Sequence, residues 1–455
     1  MAEHESLRRK HLARFGELVP EYVQHPTWPR QRIEREQTEG LRRIAGVARG
    51  KSPWHQQRLT RIDVDSLTPA NLSSLPIMTK DDLMAHWDDI VTDRRLTLDL
   101  VDRHLETITR DTYLLDAYHA VASGGSSGRR GVFVWDWDAW AIAYAAGVRW
   151  AIRFGLSHPA LTERLPVVAS VAADAPTHMT SAMTETFSSP AVTVHRFPVT
   201  MPLKEIVAGL NAVQPSALNG YSSALCELAH EALRGSLRIA PATVTPTSEP
   251  LLPEMRKVME CAWGVPVGGV WGTSEGCATG MSCYAGAGMH LSEDLLIIEP
   301  VDRDGRAVRA GETSAKIYLT NLFNPALPLI RYEITDEVTV LSEPCPCGCA
   351  FTRVADIQGR VDDIFRYAGG VSIHPHVFRS PLSREPEIIE YQVRQTSRGA
   401  DIVIRAAGEV NVAALRAQIA AHVAKAGLDD PQIAVTCAAA IERTSAGKLK
   451  RFVPR

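Results

Sequence analysis

Three groups of residues in this 455-residue chain have types and spacings suited to chemistry. The first is Ser123-Gly124-Gly125-Ser126-Ser127-Gly128-Arg129-Arg130. Glycines let a backbone approach a ligand closely, successive N–H groups can point at anionic oxygens, and guanidinium groups pair with phosphate in a fork geometry. The composition suits a polyphosphate clamp, and it also suits a flexible linker. A Walker loop is excluded, since that pattern needs a Lys followed by Ser or Thr where a helix begins. Here Arg129 and Arg130 follow the last glycine, 131–135 reads as a strand, and Asp136 or Asp138 is placed to cap a helix beyond it. The loop is expected to join two strands.

The second group is Thr247-Ser248-Glu249-Pro250 together with Trp271-Gly272-Thr273-Ser274-Glu275-Gly276. An indole can stack on a nucleobase or simply fill a core; the glycine permits close approach, a hydroxyl can meet phosphate, and a carboxylate can hold magnesium. Further on, 328–332 leads to Asp336, and Gly359-Arg360-Val361-Asp362-Asp363 stands where a domain boundary is expected. The third group is Cys283 and His290, followed by Cys345-Pro346-Cys347-Gly348-Cys349. Thiolate and imidazole in this combination suit tetrahedral zinc, although the spacing is not that of a zinc finger and reduced surface thiols beside a chance histidine fit equally.

The elements that must position these groups are those of an α/β protein. Between 164 and 270, β-rich runs at 166–171, 192–197, 216–219, 243–245 and 265–270 alternate with helical spacing at 203–213, 223–233 and 251–263. That alternation predicts parallel strands joined by helices, with ligands at the carboxyl ends of the strands. Residues 1–105 read as charged helices with proline-containing joints, an outer layer of the same large domain. After 358 the order is strand, helix, strand, strand, helix, strand, at 363–373, 375–382, 387–395, 401–406, 410–426 and 432–441. A large N-terminal domain (1–360) and a small α+β C-terminal domain (361–455) are therefore expected.

Composition narrows the function. The 49 basic and 52 acidic side chains leave a formal charge of -3, with no electrostatic footprint for nucleic acid or an anionic membrane. Residues 1–15 lack the apolar core of a secretory signal, and the apolar stretch 139–148 is bounded by Asp138 and Arg149. Eight cysteines over this length do not make a disulfide scaffold. A cytoplasmic protein with reduced thiols, acting on small molecules, is expected; its oligomeric state is not specified.

The order of the segments resembles the adenylate-forming superfamily of acyl-CoA synthetases, adenylation domains and luciferases, and most closely its phenylacetate:CoA ligase-like branch. The resemblance runs from Leu75-Pro-Ile-Met-Thr-Lys80-Asp-Asp-Leu, through Gln214-Pro215 and Gly220-Tyr221-Ser222-Ser223, to Thr444-Ser445-Ala446-Gly447-Lys448. It implies that Ser123 to Arg130 covers the β- and γ-phosphates of ATP, that Ser248, Glu249 and Pro250 lie beside the adenine, and that Trp271 takes the place of a stacking Tyr. Gly272, Thr273 and Ser274 would meet the nucleotide, Glu275 would hold magnesium, Asp336 the ribose hydroxyls, and Arg360 would reach the nucleotide. Asp362 matches the hinge of the mobile small domain, and Lys448 the lysine delivered to the adenylation transition state. Branch members with zinc imply Cys283, His290, Cys345 and Cys347 as structural ligands, with Cys349 in reserve. Arg129 in place of Lys, Arg130 in place of Pro, Trp271 in place of Tyr and Ser274 in place of Thr depart from the pattern while keeping its chemistry.

The implied reaction activates a carboxylic acid, aromatic by the branch's habit, to an acyl adenylate with loss of pyrophosphate. Lys448, Glu275 and Arg129 would act on developing charge. Coenzyme A is the expected thiol acceptor, with a carrier protein or an amine as alternatives, and Tyr221, His195 and Gly276 are candidates for the acid pocket. The reading of another class is a non-catalytic, zinc-stabilised nucleotide-binding protein. Against it stand Glu275, Asp336, Asp362 and Lys448 together, since binding alone requires neither hinge nor transition-state lysine.

Overall fold

The computed structural model describes residues 2–123, 131–157, 166–172, 176–189, 192–199, 201–286, 288–357, 364–373, 375–382, 385, 387–443 and 449–455. Helices α1 (Ala2–Tyr22), α2 (Arg30–Lys51), α3 (Pro53–Arg58), α4 (Lys80–Ala85), α5 (Trp87–Ile90) and α6 (Leu98–Thr107) come first. Proline marks the joints, with Pro29 ahead of α2 and Pro53 opening α3, where the ring costs no helix hydrogen bond. Thr79 starts α4 through a capping box: it accepts the Asp82 N–H at 3.1 Å, and the Asp82 carboxylate accepts the Thr79 N–H at 2.8 Å. The inner face of α2 places Leu41, Ile44 and Ala45 in one apolar cluster with Leu59, Leu67 and Leu72.

Strands β1 (Tyr118–Ala122) and β2 (Val132–Asp136) form an antiparallel hairpin with Ala122 opposite Val132. Of the two candidate caps, Asp136 accepts the Ala139 N–H at 2.7 Å and so opens α7 (Trp137–Leu156). The alternation expected next is present. Parallel β3 (Val167–Ala172), β4 (Thr193–Pro198), β5 (Ala217–Tyr221) and β6 (Thr243–Thr247) are joined by α8 (Met179–Thr186), α9 (Leu203–Val213) and α10 (Ser222–Leu233). Helix α11 (Pro253–Trp263) ends at Gly264, whose φ of 67° is the left-handed cap that glycine adopts without strain.

The expected strand at 265–270 lies elsewhere. Only Val267 bridges to Val244, and β7 runs Val270–Thr273. A Cβ on Gly268 would fall 2.3 Å from the Tyr284 ring, so the backbone passes tightly there before pairing begins. The ladder of β7 comes mainly from β8 (Cys277–Met281), an antiparallel return, with Val270 opposite Met281. After β9 (Met289–Leu291), strands β10 (Leu296–Val301), β11 (Lys316–Asn321) and β12 (Tyr332–Ile334) form their own sheet. Strands β13 (Val340–Leu341) and β14 (Arg353–Val354) then complete a nine-stranded sheet ordered β13-β14-β9-β8-β7-β6-β5-β3-β4.

The expected strand 363–373 proves to be a hairpin of β15 (Phe365–Arg366) and β16 (Ser372–Ile373), turned by Gly369 and Gly370 at φ 78° and 80°. Helix α12 (Pro375–Leu382), β17 (Ile388–Gln395), β18 (Gly399–Ala406), α13 (Val412–Lys425), β19 (Gln432–Cys437) and β20 (Phe452–Val453) follow, in a sheet ordered β19-β18-β17-β20. The last expected strand stops at Cys437, short of 441. Phe365, Phe378, Val393, Ile402 and Ile419 form this unit's own core, separate from the clusters of the large domain. The expected boundary at 360 lies outside the described residues. No helix among the described residues is long and apolar enough to cross a membrane.

Candidate active site

The carboxyl ends of β5 and β6 meet the start of β7, because Tyr221 pairs with Thr247 and Thr247 with Val270, the first residue of β7. Beyond that line the chain carries 248–250 on one side and 271–276 on the other. Ser248 sits at φ 65° and Cys277 at φ 61°, left-handed values that cost a non-glycine residue about a kilocalorie per mole or more and that cluster at ligand sites. Glu249 caps the amino end of α10: its carboxylate accepts the Ser223 N–H at 2.9 Å, and its carbonyl accepts from the Ser222 hydroxyl at 3.0 Å. Pro250 is exposed beside it.

Trp271 is buried, and its indole Nε1 donates to Asp336 Oδ2 at 2.7 Å. Asp336 follows β12, which the segment around Met78 holds from outside: Met78 N–H donates to the Arg331 carbonyl at 3.0 Å, and Glu333 N–H to the Met78 carbonyl at 2.8 Å. Gly272 is exposed, and a Cβ there would meet nothing nearer than 3.6 Å, which leaves this stretch of backbone open to close approach. Thr273 is turned inward, its hydroxyl accepting the Gly276 N–H at 3.0 Å, whereas Ser274 and Glu275 are half-exposed. Gly276 fits where a Cβ would press on Leu319 and Leu296 at 3.0 and 3.1 Å. The Tyr332 phenol is pushed up, by burial first and then by the negative charges of Glu275 and Asp81.

Asn321 and Asn324 were not singled out in the sequence. Asn321 Nδ2 donates to the Glu275 carbonyl at 2.9 Å, and Asn324 Nδ2 to the Val134 carbonyl of β2 at 2.9 Å. Both are buried, so one short segment fixes the Glu275 turn and the strand leaving the glycine loop at once. The signal available was a pair of amides three apart in an otherwise apolar stretch. The Ser123 hydroxyl accepts the Gly131 N–H at 2.8 Å, and the Ser123 N–H donates to the Gly131 carbonyl at 2.9 Å, closing the neck of the loop. Gly124, Gly125, Ser126, Ser127, Gly128, Arg129 and Arg130 lie outside the described residues, as do Arg360, Asp362 and Lys448. Leu449 is described, and its N–H donates to Glu249 Oε1 at 2.8 Å, so the residue after Lys448 is tied to the segment expected beside the adenine.

Two candidates for the acid pocket separate. Tyr221 is buried at the end of β5, next to Glu249's partners. His195 stands mid-strand in β4, at the edge of the sheet and four strand positions from β7, or about 19 Å at the usual spacing. The structure does not bring it to Trp271.

Cys283, His290, Cys345 and Cys347 each present one ligand atom, and all four atoms lie within 4.8 Å of one another. Cys283 Sγ is 3.5 Å from Cys345 Sγ, and Cys347 Sγ is 3.3 Å from His290 Nε2. A carbonyl can only accept, so the 3.2 Å contact from His290 Nδ1 to the Phe351 oxygen places the proton on Nδ1 and leaves Nε2 free toward the sulfurs. The pairing of β9 with β14, His290 opposite Arg353, brings the two halves of the cluster together, and the Trp150 ring stacks on His290 at 5.1 Å. Cys349 is outside the set: its N–H donates to Cys347 Sγ at 3.5 Å and its own sulfur accepts the Phe351 N–H. The donor set and its closeness fit one tetrahedral zinc with no open position.

Arg149, which lies over the Phe351 ring, forms with Asp294 a bidentate pair with no exposed side-chain surface, at 2.5 and 3.0 Å, and His25 Nδ1 adds a 2.7 Å contact to the same carboxylate. Burial opposes ionisation of Asp294, but Arg149 outweighs it and holds the carboxyl at about 2.

No established protein-family profile matches the chain. The phenylacetate-coenzyme A ligase of Thermus thermophilus is 30% identical over 176 residues, which are 38% of this chain and 37% of that ligase, so the match spans little more than a third of the relative. Among solved structures, 2-hydroxyisobutyryl-CoA ligase in its postadenylation state, in complex with R3-HIB-AMP, superposes with a TM-score of 0.73 at 18% identity, over 95% of this chain and 91% of that one. The same ligase with 2-HIB-AMP and CoA in its thioesterification state gives 0.62 over the same shares at 18% identity. The likeness is one of fold, with a large N-terminal and a small C-terminal domain.

Proposed function

We propose that this chain, which has the fold of the adenylate-forming superfamily, activates a carboxylic acid with ATP and passes the acyl group to coenzyme A. The observation that carries the reading is the convergence on one sheet end of the Trp271–Asp336 pair, Glu249 and the backbone that follows Lys448. In the first step a substrate carboxylate oxygen attacks the α-phosphorus of ATP, the bond to the β-phosphate oxygen breaks, and pyrophosphate leaves. In the second, a thiolate sulfur attacks the acyl carbon and AMP departs.

No protein nucleophile is needed; the obstacle is bringing one anion to another. The chain's contribution is therefore position and cationic charge. Asp336, oriented by Trp271, would hold the ribose hydroxyls, and Lys448 and Arg129 would meet the charge that develops on phosphate. Glu275 is the residue to hold magnesium, which when bound supplies charge neutralisation on the phosphates. Cys283, His290, Cys345 and Cys347 would hold a structural zinc that joins β9 to the 345–349 loop. Tyr221 and Gly276 stay as candidates for the acid pocket, and the partial likeness to a phenylacetate ligase favours an aromatic acid.

The test is acid-dependent exchange of pyrophosphate into ATP across a panel of aromatic and short aliphatic acids, followed by mass detection of the CoA thioester. AMP formed only in the presence of an acid supports the reading. ADP as product, or no acid-dependent exchange with any member of the panel, overturns it.

A further inference from the structure

One face of the parallel part of the large sheet carries polar side chains, where such a sheet usually buries apolar ones. On β3, β5 and β6, Ala169, Val171, Leu218 and Val244 are fully buried in one cluster with residues of α9, α10 and α11. Successive side chains of a strand point to opposite faces, so Ser170, Asn219 and Thr245 stand on the other one. The register sets these three side by side: Ser170 is opposite Asn219 and Asn219 opposite Thr245, with Arg196 of β4 next to Ser170. Strand β5 lies inside the sheet, yet all three side chains are only half-buried.

This row has unused hydrogen-bonding capacity. Among the described residues the side chains of Ser170 and Asn219 make no hydrogen bond, and polar groups inside a fold call for a partner, either water or a ligand. At the β4 end, Ser170 and Arg196 line a cavity with Thr180, Ser181 and Thr184 of α8. Arg196 is already engaged there, with the Ser181 carbonyl at 3.4 Å and Glu185 at 3.9 Å. At the other end the Thr245 hydroxyl and the Tyr284 phenol lie 3.0 Å apart, and the Tyr284 ring packs on Phe154 with centroids 4.9 Å apart. Tyr284 holds that place against strain, at a φ of 63°, and backbone conformations of this kind cluster at ligand sites.

Two residues further along the strands the same face carries Tyr221 and Thr247, which pair with each other, and after Thr247 come Ser248 and Glu249 of the candidate nucleotide site. Two residues of strand span about 6.6 Å. An acid whose carboxylate meets ATP at the strand ends therefore brings its far end to the row. We propose that Asn219, Thr245 and Ser170 determine specificity, and that the acid activated carries an uncharged hydrogen-bonding group, such as a hydroxyl, at the end remote from its carboxylate. The row offers amide and hydroxyl groups, which match a neutral partner, and the neighbouring Arg196 is paired with Glu185. The inference rests on the ligase reading for the place of the carboxylate.

The experiment measures acid-dependent exchange of pyrophosphate into ATP by the full, metal-loaded chain, with acids matched in pairs that differ by one remote hydroxyl. The pairs are 4-hydroxyphenylacetate against phenylacetate and 6-hydroxyhexanoate against hexanoate. A site built to hydrogen-bond a hydroxyl rejects the analogue that lacks it, so kcat/KM is expected to favour the hydroxylated member of at least one pair by about a hundredfold or more. Asn219→Leu, which keeps the branched shape and removes the amide, is expected to lower that ratio about tenfold by slowing the hydroxylated acid. Thr245→Val, which keeps the shape and removes a hydroxyl, lowers it in the same direction by less. A merely structural role would slow both members of a pair equally, so the ratio separates specificity from stability. A ratio below about tenfold in both pairs, or one that neither substitution moves, overturns the inference. Should no acid in a wide panel support exchange, the ligase reading fails by itself, and calorimetric binding of the same acids to the chain and its variants decides the role of the row by the same ratio.

Discussion

The indole N–H of Trp271 donates to the carboxylate of Asp336 at 2.7 Å, joining two residues 65 apart in sequence on the floor of the candidate nucleotide site. A carboxylate held by a fixed donor presents its remaining lone pairs in a fixed direction, which is what two adjacent ribose hydroxyls require. Trp271→Phe keeps an aromatic ring and removes the donor. A hydrogen bond to a charged group is worth about 1.5–3 kcal/mol, so AMP affinity is expected to fall about tenfold or more, measured by titration calorimetry. An unchanged Kd would show that Asp336 needs no such orientation.

Lys448→Ala is expected to lower acid-dependent pyrophosphate release by about a hundredfold to a thousandfold, the usual loss when a directed charge contact is removed from a transition state. ATP affinity is expected to stay within a few-fold. Near-normal pyrophosphate release would remove the lysine from the mechanism.

Metal analysis of the purified protein is expected to give about one zinc per chain, since four protein donors complete a tetrahedral site. Cys345→Ser is expected to reduce both the zinc content and the melting temperature, whereas Cys349→Ser leaves the metal in place, because Cys349 stands outside the four-residue cluster. Equal loss of zinc in the two variants would redraw the ligand set.

The Arg149–Asp294 pair makes a prediction about pH and stability. Asp294 is held at about 2 in the folded chain, below the ordinary carboxyl value, so unfolding favours proton uptake there. The stabilisation is full above the unfolded value near 4 and is lost as pH falls through about 2. Asp294→Asn leaves the Arg149 charge buried and is expected to cost about 3–5 kcal/mol at pH 7 in urea unfolding. The gap to the unmodified chain should shrink as the pH approaches 2. A gap independent of pH would mean that the pair acts through packing alone.

Much of the parallel half of the sheet was legible because its signals are local. Apolar residues at helical spacing specify α9 at 203–213 whatever lies around it, and a buried run such as 166–171 sits within a residue of its strand. The types of the site residues, a carboxylate at 275, an indole at 271 and thiols at 283, 345 and 347, were likewise readable as chemistry.

Pairings between distant segments were not. That β7 begins at Val270 depends on its antiparallel partner β8, and that Glu249 caps α10 while meeting Leu449 depends on the packing of two domains. The edge position of His195 follows from strand order, which the spacing of strands along the chain does not encode. The set Cys283, His290, Cys345 and Cys347, with Cys349 in reserve, was implied by the family resemblance, whereas the closeness of its two halves depends on the register of β9 against β14. The composition and periodicity of the chain thus specified its elements and its chemical groups, because those follow from short-range sterics and burial. Which groups meet was decided by tertiary contacts, because each such meeting joins residues whose separation in sequence carries no local signal.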